Sequence, residues 1–363
     1  MKTYTKIFAL IVAAIAIVGI ESVYASGNSN RKFVDATTLT IINKIDNECE
    51  PLARIDAAKY GARKSLGSSG TGLAIVFRTD SRIIDVKWNT TGKKIGSNST
   101  PIFHSGLDLY IRDKGEWIFA GAARPKFNST EHKYTAVRSM AEGVKECLLY
   151  LPMYNGVTSL EIGVENDAMI EPMPSPFKYK IAFIGSSLTH GSSASRPGAS
   201  YVARLGRELN AEAPNIGLSG QCKLDDYFAE IVCNNKADAF IFDTFSNSTD
   251  KIIEERLYNF VKKVATAHPN TPMIFLQTIK RDIGYFDLGA RKRNDNQRAA
   301  AEKGMKELCK MYKNVYFINP GLIVGDNHEG TIDGTHLNDL GIQCTIDHLL
   351  PKLKKILKKY GVK

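Results

Sequence analysis

The apolar residues of this chain keep two different rhythms, and the change between them falls near residue 175. Up to that point they come in short runs that often alternate with polar residues, at 73–77, 83–88, 107–111, 116–120, 146–151 and 159–164. Clusters of Gly, Asn, Ser and Pro separate the runs. Alternation sends successive side chains to opposite faces of a strand, so short runs with frequent turn signals predict a β-sandwich or jelly roll over 33–171. The stretch Glu171-Pro-Met-Pro-Ser-Pro176 then sets three prolines close together. Each fixes φ and lacks an N–H, so the segment interrupts helix and strand alike and reads as a linker.

Beyond the linker, fully apolar runs at 179–184, 215–217, 239–244, 273–278 and 315–318 alternate with longer segments of helical period at 199–210, 224–234, 252–268, 297–312 and 340–360. Strand and helix in alternation predict a parallel sheet with helices on both faces, an α/β domain over 177–363.

The first 25 residues have another character. Lys2 and Lys6 precede an apolar run at 7–20, and Val23-Tyr24-Ala25 has the form of a cleavage site. This predicts a signal peptide cut near Ala25 and a protein exported to the periplasm or beyond. No cysteine follows the run to take a lipid, and no later stretch is apolar for long enough to span a bilayer, so no membrane-embedded part is expected. Residues 26–32 read as a disordered leader.

The formal charge of +10 owes much to the tail at 352–359. There Leu353, Ile356, Leu357 and Tyr360 recur at helical spacing, which predicts a docked helix with a solvated basic face. No basic cluster is interleaved with aromatics, so a nucleic-acid partner is not expected. The six cysteines, at 49, 147, 222, 233, 309 and 344, form no C-x-x-C and no zinc spacing. Buried free thiols or a single stray bridge are the expectation, the pairing stays open, and no cofactor or metal is called for.

Four places carry chemistry. Ser187 follows the first strand of the second half, in Gly185-Ser186-Ser187-Leu188-Thr189-His190-Gly191, where a hydroxyl can be presented at the end of a sheet. The segment lacks the lysine of a phosphate loop and the last glycine of a G-x-S-x-G elbow. Asp333 and His336 stand three residues apart, close enough for the carboxylate to hold one imidazole nitrogen and leave the other for a serine; a capping Asp beside a surface His has the same spacing. Gly220 follows the second strand and Asn247 the third. Either can donate an N–H to an oxyanion, and either can be an ordinary turn residue. His190 can line the pocket, although no carboxylate is near it in sequence. Trp88, Tyr110, Trp117 and Tyr154 can stack on sugar rings, though filling the core is the commoner fate of such residues.

Together these four blocks resemble the SGNH (GDSL-like) hydrolases, in family order and over nearly the whole second half. Gly185-Ser186-Ser187-Leu188 stands where that family has Gly-Asp-Ser-Leu, Gly220 and Asn247 match its oxyanion residues, and Asp333 with His336 matches its last block. The segment from Tyr150 to Val164 and Ser195-Arg196-Pro197-Gly198 are similar to a subgroup with a β-sandwich in front. Ser186 in place of Asp, and a third block without its usual Gly, are the departures. The resemblance implies a flavodoxin-like three-layer catalytic domain and a serine esterase. Ser187 would be the nucleophile, His336 the base and Asp333 its orienter, with the oxyanion held by the N–H groups of Ser187 and Gly220 and by Asn247. The implied substrate is a short acyl group, most readily acetyl, on a carbohydrate. A lysophospholipase or thioesterase on the same scaffold, and a silent carbohydrate-binding protein, are the alternatives.

Overall fold

The computed structural model describes residues 31–62, 64–319 and 327–362, so the expected signal peptide lies outside the described residues. The front half runs β1 (Arg31–Asp35), β2 (Thr40–Ile42), α1 (Lys64–Gly67), β3 (Ala74–Thr79), β4 (Ile84–Thr90), α2 (Pro101–Ser105), β5 (Leu107–Asp113), β6 (Glu116–Ala123), β7 (Glu131–Val137), β8 (Lys145–Tyr150), β9 (Val157–Glu165) and β10 (Ile170–Pro172). Two antiparallel sheets form, one in the order β1-β9-β4-β7, the other β10-β3-β8-β5-β6 with β2 also on β3. Along β4, Ile84, Val86 and Trp88 point into a core shared with Ile75 and Phe77 of β3, Leu107 and Leu109 of β5, and Leu149 of β8. This is the sandwich that the alternation predicts.

Two details depart from the sequence reading. Residues 31 and 32 belong to β1, where Arg31 pairs with Glu165 and Lys32 with Val164, so the leader is ordered from there on. Pairing also extends into the linker, because Pro172 lies opposite Phe77. A proline is tolerated there because β10 is an edge strand.

The second half runs β11 (Tyr179–Gly185), α3 (Ser187–His190), α4 (Tyr201–Glu208), β12 (Ala211–Glu212), β13 (Asn215–Gly217), α5 (Asp226–Asn234), β14 (Ala239–Asp243), α6 (Asp250–Ala267), β15 (Met273–Leu276), α7 (Leu288–Met311), β16 (Val315–Ile318) and α8 (Asp339–Leu357). All strand pairs are parallel, in the order β12-β11-β14-β15-β16 with β13 also on β11. Each strand feeds two cores. Ala182, Ile184, Phe240, Phe242 and Phe275 face the layer of α5, α6 and α7. Ile181, Phe183, Ile241, Ile274 and Leu276 face α4 and α8. Strands buried on both sides read as continuous apolar runs, which is why they were visible in the sequence. Helix α7 begins nine residues ahead of the predicted 297, since its first turns are polar and have no apolar period; Asp287 caps it by accepting from Ala290 N at 2.8 Å.

The halves meet along the outer side of β5. Leu107 and Leu109 point into the sandwich, while Asp108 and Tyr110 point the other way. Asp108 is fully buried and accepts 2.8 Å bonds from Arg196 Nη1 and from Gly198 N. The Tyr110 hydroxyl accepts from Arg196 at 2.5 Å and Arg207 at 3.3 Å. Removing one partner of such a buried pair costs about 3–5 kcal/mol, because the other charge is stranded.

Candidate active site

The site forms where strand order reverses, between β11 with its neighbour β13 on one side and β14 on the other; in open α/β sheets ligands bind at such a point. β11 ends at Gly185, where an added Cβ would lie 2.9 Å from Asp243 Cβ, so no larger residue fits. Ser186 caps α3, its Oγ accepting from Leu188 N at 3.1 Å. The same hydroxyl donates to Asp243 Oδ2 at 2.5 Å. Asp243 ends β14 and also receives Thr189 Oγ1 at 3.2 Å and the Ser246 hydroxyl. Burial pushes its carboxyl up from the usual range, and these bonds oppose that. The serine at 186 is thus paired with a buried carboxylate supplied by the next strand.

Ser187, the first residue of α3, places its Oγ 2.9 Å from His336 Nε2. His336 Nδ1 is 2.7 Å from Asp333 Oδ2, and the His336 backbone N–H donates to Asp333 Oδ1 at 2.8 Å. Both residues lie in the turn closed by the Thr331–Leu337 bridge, ahead of α8 rather than at its start. Burial raises the Asp333 carboxyl, but the two bonds from His336 and one from Asn98 outweigh it and hold it at about 2. A hydroxyl on one imidazole nitrogen and a carboxylate on the other is the arrangement that lets a serine lose its proton as it attacks.

Gly220 sits in the loop after β13 with φ +72°, a conformation that suits glycine. Asn247, between β14 and α6, donates one of its two amide N–H bonds to Gln221 O at 2.6 Å, which ties it to the Gly220 loop. Ser187, Gly220, Asn247 and His336 border one open cleft of about 460 Å³.

Asn98 and Arg281, which the sequence did not single out, also border that cleft, as does Tyr154. Asn98, from the front half, donates to Asp333 Oδ2 at 3.2 Å and lies 3.4 Å from His336 Nδ1. Its loop is fixed to the nucleophile's side, with Ser193 Oγ donating to Asn98 O at 3.0 Å and Thr100 Oγ1 to Ser195 O at 2.7 Å. The Tyr154 hydroxyl bonds Ser192 and Ser219, and its ring stacks on His190 at 3.9 Å.

His190 is therefore behind the cleft wall, fully buried, and not a lining residue as its sequence position suggested. Burial, together with the nearby Arg54 charge, pushes its pKa far down, so it is neutral. Its Nε2 lies 2.6 Å from Met153 O and 3.0 Å from Thr71 Oγ1. Of the four aromatics singled out for sugar stacking, Trp88 and Tyr110 are buried, Trp117 packs on Phe177, and Tyr154 alone reaches the cleft. All six cysteines are free thiols.

A hydroxyl, an imidazole and a carboxylate in line, held by loops at the sheet's switch point, define an α/β serine hydrolase. The chain belongs to the GDSL-like (SGNH) hydrolase family, in the form that carries an N-terminal GxDLY domain. Residues 178–354 match the GDSL-like lipase/acylhydrolase family. Residues 31–170 match the GxDLY domain, the N-terminus of SGNH-hydrolase-type esterases, and the five letters read here as Gly106-Leu107-Asp108-Leu109-Tyr110. The interface pair Asp108 and Tyr110 thus falls on that signature.

A protein of Bacteroides ovatus assigned as a GDSL-like lipase is 41% identical over 91% of this chain and 98% of its own, with a TM-score of 0.88. The salicylyl-acyltransferase SsfX3 of a tetracycline biosynthetic pathway is 20% identical over 92% of this chain and 98% of its own, with a TM-score of 0.69. A family two carbohydrate esterase from Cellvibrio japonicus is 12% identical over 91% of this chain and 98% of its own, with a TM-score of 0.60. The last two share the fold. No curated protein sequence matches the chain.

Proposed function

We propose that this protein is an exported serine esterase that removes short acyl groups, acetyl first of all, from carbohydrate hydroxyls. The observation that carries the reaction is the line from Ser187 Oγ through His336 to Asp333, with contacts of 2.9 and 2.7 Å. Ser187 Oγ attacks the ester carbonyl and His336 Nε2 takes its proton. The tetrahedral oxyanion is met by the backbone N–H groups of Ser187 and Gly220 and by the free N–H of Asn247. His336 then returns the proton to the departing sugar oxygen, leaving an acyl group on Ser187. Water, deprotonated by the same imidazole, releases the acid and restores the serine. Asp333 orients the imidazole throughout and stabilises its charged form, and Asn98 holds Asp333.

The acyl specificity rests on the cleft walls. Asn98, Ser192, Ser219, Ser246 and Thr335 put polar groups on them, and among the described lining residues Leu188 is the one aliphatic side chain. A groove for a long acyl chain needs apolar walls, where each buried CH₂ contributes about 0.8 kcal/mol, roughly fourfold in binding. The carbohydrate esterase of the same fold and the signal-peptide pattern at 1–25 support the glycan and export parts of the reading.

A series of acetyl, butyryl and octanoyl esters tests it on the purified enzyme. Efficiency is expected to fall along the series, and acetate to be released from acetylated oligosaccharides. A rising series with no acetate released from any glycan would make the protein a lipase or thioesterase instead.

A further inference from the structure

Among the described residues, Arg281 is the one Lys or Arg side chain lining the cleft, and no acidic side chain lines it there. It follows β15 and leads into the 3₁₀ turn Asp282–Tyr285. Its Nη2 donates to Ser246 O, while its Nε is buried with no hydrogen-bond partner. None of the ion pairs among the described residues includes it. The acid whose charge it feels is Asp243, which bonds the Ser246 hydroxyl while Arg281 bonds the Ser246 carbonyl, and Arg293 adds an opposing positive charge. Among the described residues, no carboxylate borders the cleft beside Arg281.

Holding a half-buried charge without a partner is costly, so it is kept where something else supplies the partner. Arg54 makes the contrast. It too has no acid and has a buried Nε without a partner, but its Nη atoms are spent on three carbonyls, those of Asn215, Gly217 and Leu66, and it is fully buried. Arg281 has one carbonyl, and it lines the cleft. The formal charge of +10 points the same way, since a basic protein concentrates anionic polymers around itself.

We infer that Arg281 reads a carboxylate on the substrate, so that the preferred ester is a short acyl group on an acidic sugar of the uronate kind, within a polyanionic glycan. This deepens the esterase reading above and rests on it. The planar fork of a guanidinium matches two carboxylate oxygens, and its charge makes those bonds stronger than neutral ones. The acid need only sit beside the reacting ester, because Arg281 shares the cleft with Asn247 and Thr335 at the Ser187 hydroxyl.

The test compares pairs of acetyl esters that differ in one charge: an acetylated methyl glucuronide against the matching glucoside, and an acetylated polyuronate against an acetylated neutral glycan. Wild-type kcat/KM should favour the acidic member about tenfold or more, chiefly through KM, as one hydrogen bond to a charged group allows. Roughly 0.5 M NaCl should shrink the preference. Arg281→Gln should cancel most of the preference, and Arg281→Lys, which keeps charge without the fork, should restore part of it. Equal wild-type efficiency on both members would overturn the inference. So would a preference that survives Arg281→Gln, an equal loss on both members in that variant, or a sulfated glycan preferred over the uronate. If the wild type frees acetate from no sugar yet prefers 4-acetoxybenzoate to phenyl acetate in KM, and Arg281→Gln cancels that preference, the glycan reading fails while the carboxylate role of Arg281 stands.

Discussion

Asn98 offers the sharpest test of how the two halves share the site. Replacing it with alanine deletes the amide that donates to Asp333 Oδ2 at 3.2 Å and lies 3.4 Å from His336 Nδ1. The loop stays anchored, because the bond from Ser193 goes to the Asn98 backbone carbonyl and survives the change. A hydrogen bond to a charged group contributes about 1.5–3 kcal/mol when well buried. The Asp333 side chain is 37% exposed, so solvent screening takes the value to about 1 kcal/mol. That corresponds to roughly a fivefold fall in kcat with little change in KM, since Asn98 acts through Asp333.

Asn98→Asp goes further. A second carboxylate beside the dyad favours the protonated imidazole, so the acid limb of kcat/KM should move to higher pH by about one unit. In the wild type the Asp333 carboxyl is held at about 2; the variant loses the Asn98 bond and gains a like charge, and both changes raise it. Steady-state kinetics from pH 4 to 9 on both variants, with thermal midpoints alongside, give the answer. Unchanged kcat in Asn98→Ala, or an unmoved acid limb in Asn98→Asp, would refute the positioning role.

Other expectations follow from the same geometry. Ser187→Ala and His336→Ala should each remove nearly all esterase activity without loss of folding, and a fluorophosphonate should label Ser187; label on Ser186 or Ser192, read by mass spectrometry, would move the nucleophile. Asn247→Ala should lower kcat by about 10²–10³ with KM nearly constant, measured on a soluble acetyl ester. Asp108→Ala should destabilise the protein by about 3–5 kcal/mol in urea melts, because Arg196 is left half-buried without its acid.

Local features were legible in the sequence and long-range ones were not. The five parallel runs showed because both faces of each strand are buried. Ser187, Gly220, Asn247 and the Asp333–His336 pair showed because each stands just past a strand or in a short tight turn, where a few adjacent residues make the pattern. β7 did not show, since its only buried residues are His132 and Ala136 among polar neighbours. Asn98 lies in a Ser/Asn/Gly loop with no periodicity, and its partner Asp333 is 235 residues away. Arg281 sits in a connection whose charge means nothing until the cleft is assembled around it. Ser186 looked like a lost aspartate; the carboxylate it needs comes from Asp243, 57 residues on, across a sheet pairing that one strand's sequence does not reveal.

The seam along β5 bears on how such a protein is inherited. A front sandwich joined only by a linker could be traded between hydrolases by recombination, as tethered binding modules are. Here the signature Gly106-Leu107-Asp108-Leu109-Tyr110 holds Arg196 and Arg207, and the neighbouring loop sends Asn98 to the triad. A crossover at the proline-rich joint would strand a half-buried arginine and loosen an aspartate in the same event. The two halves must therefore descend as one unit, and a chimera between distant relatives should work only when both sides of the seam come from the same parent.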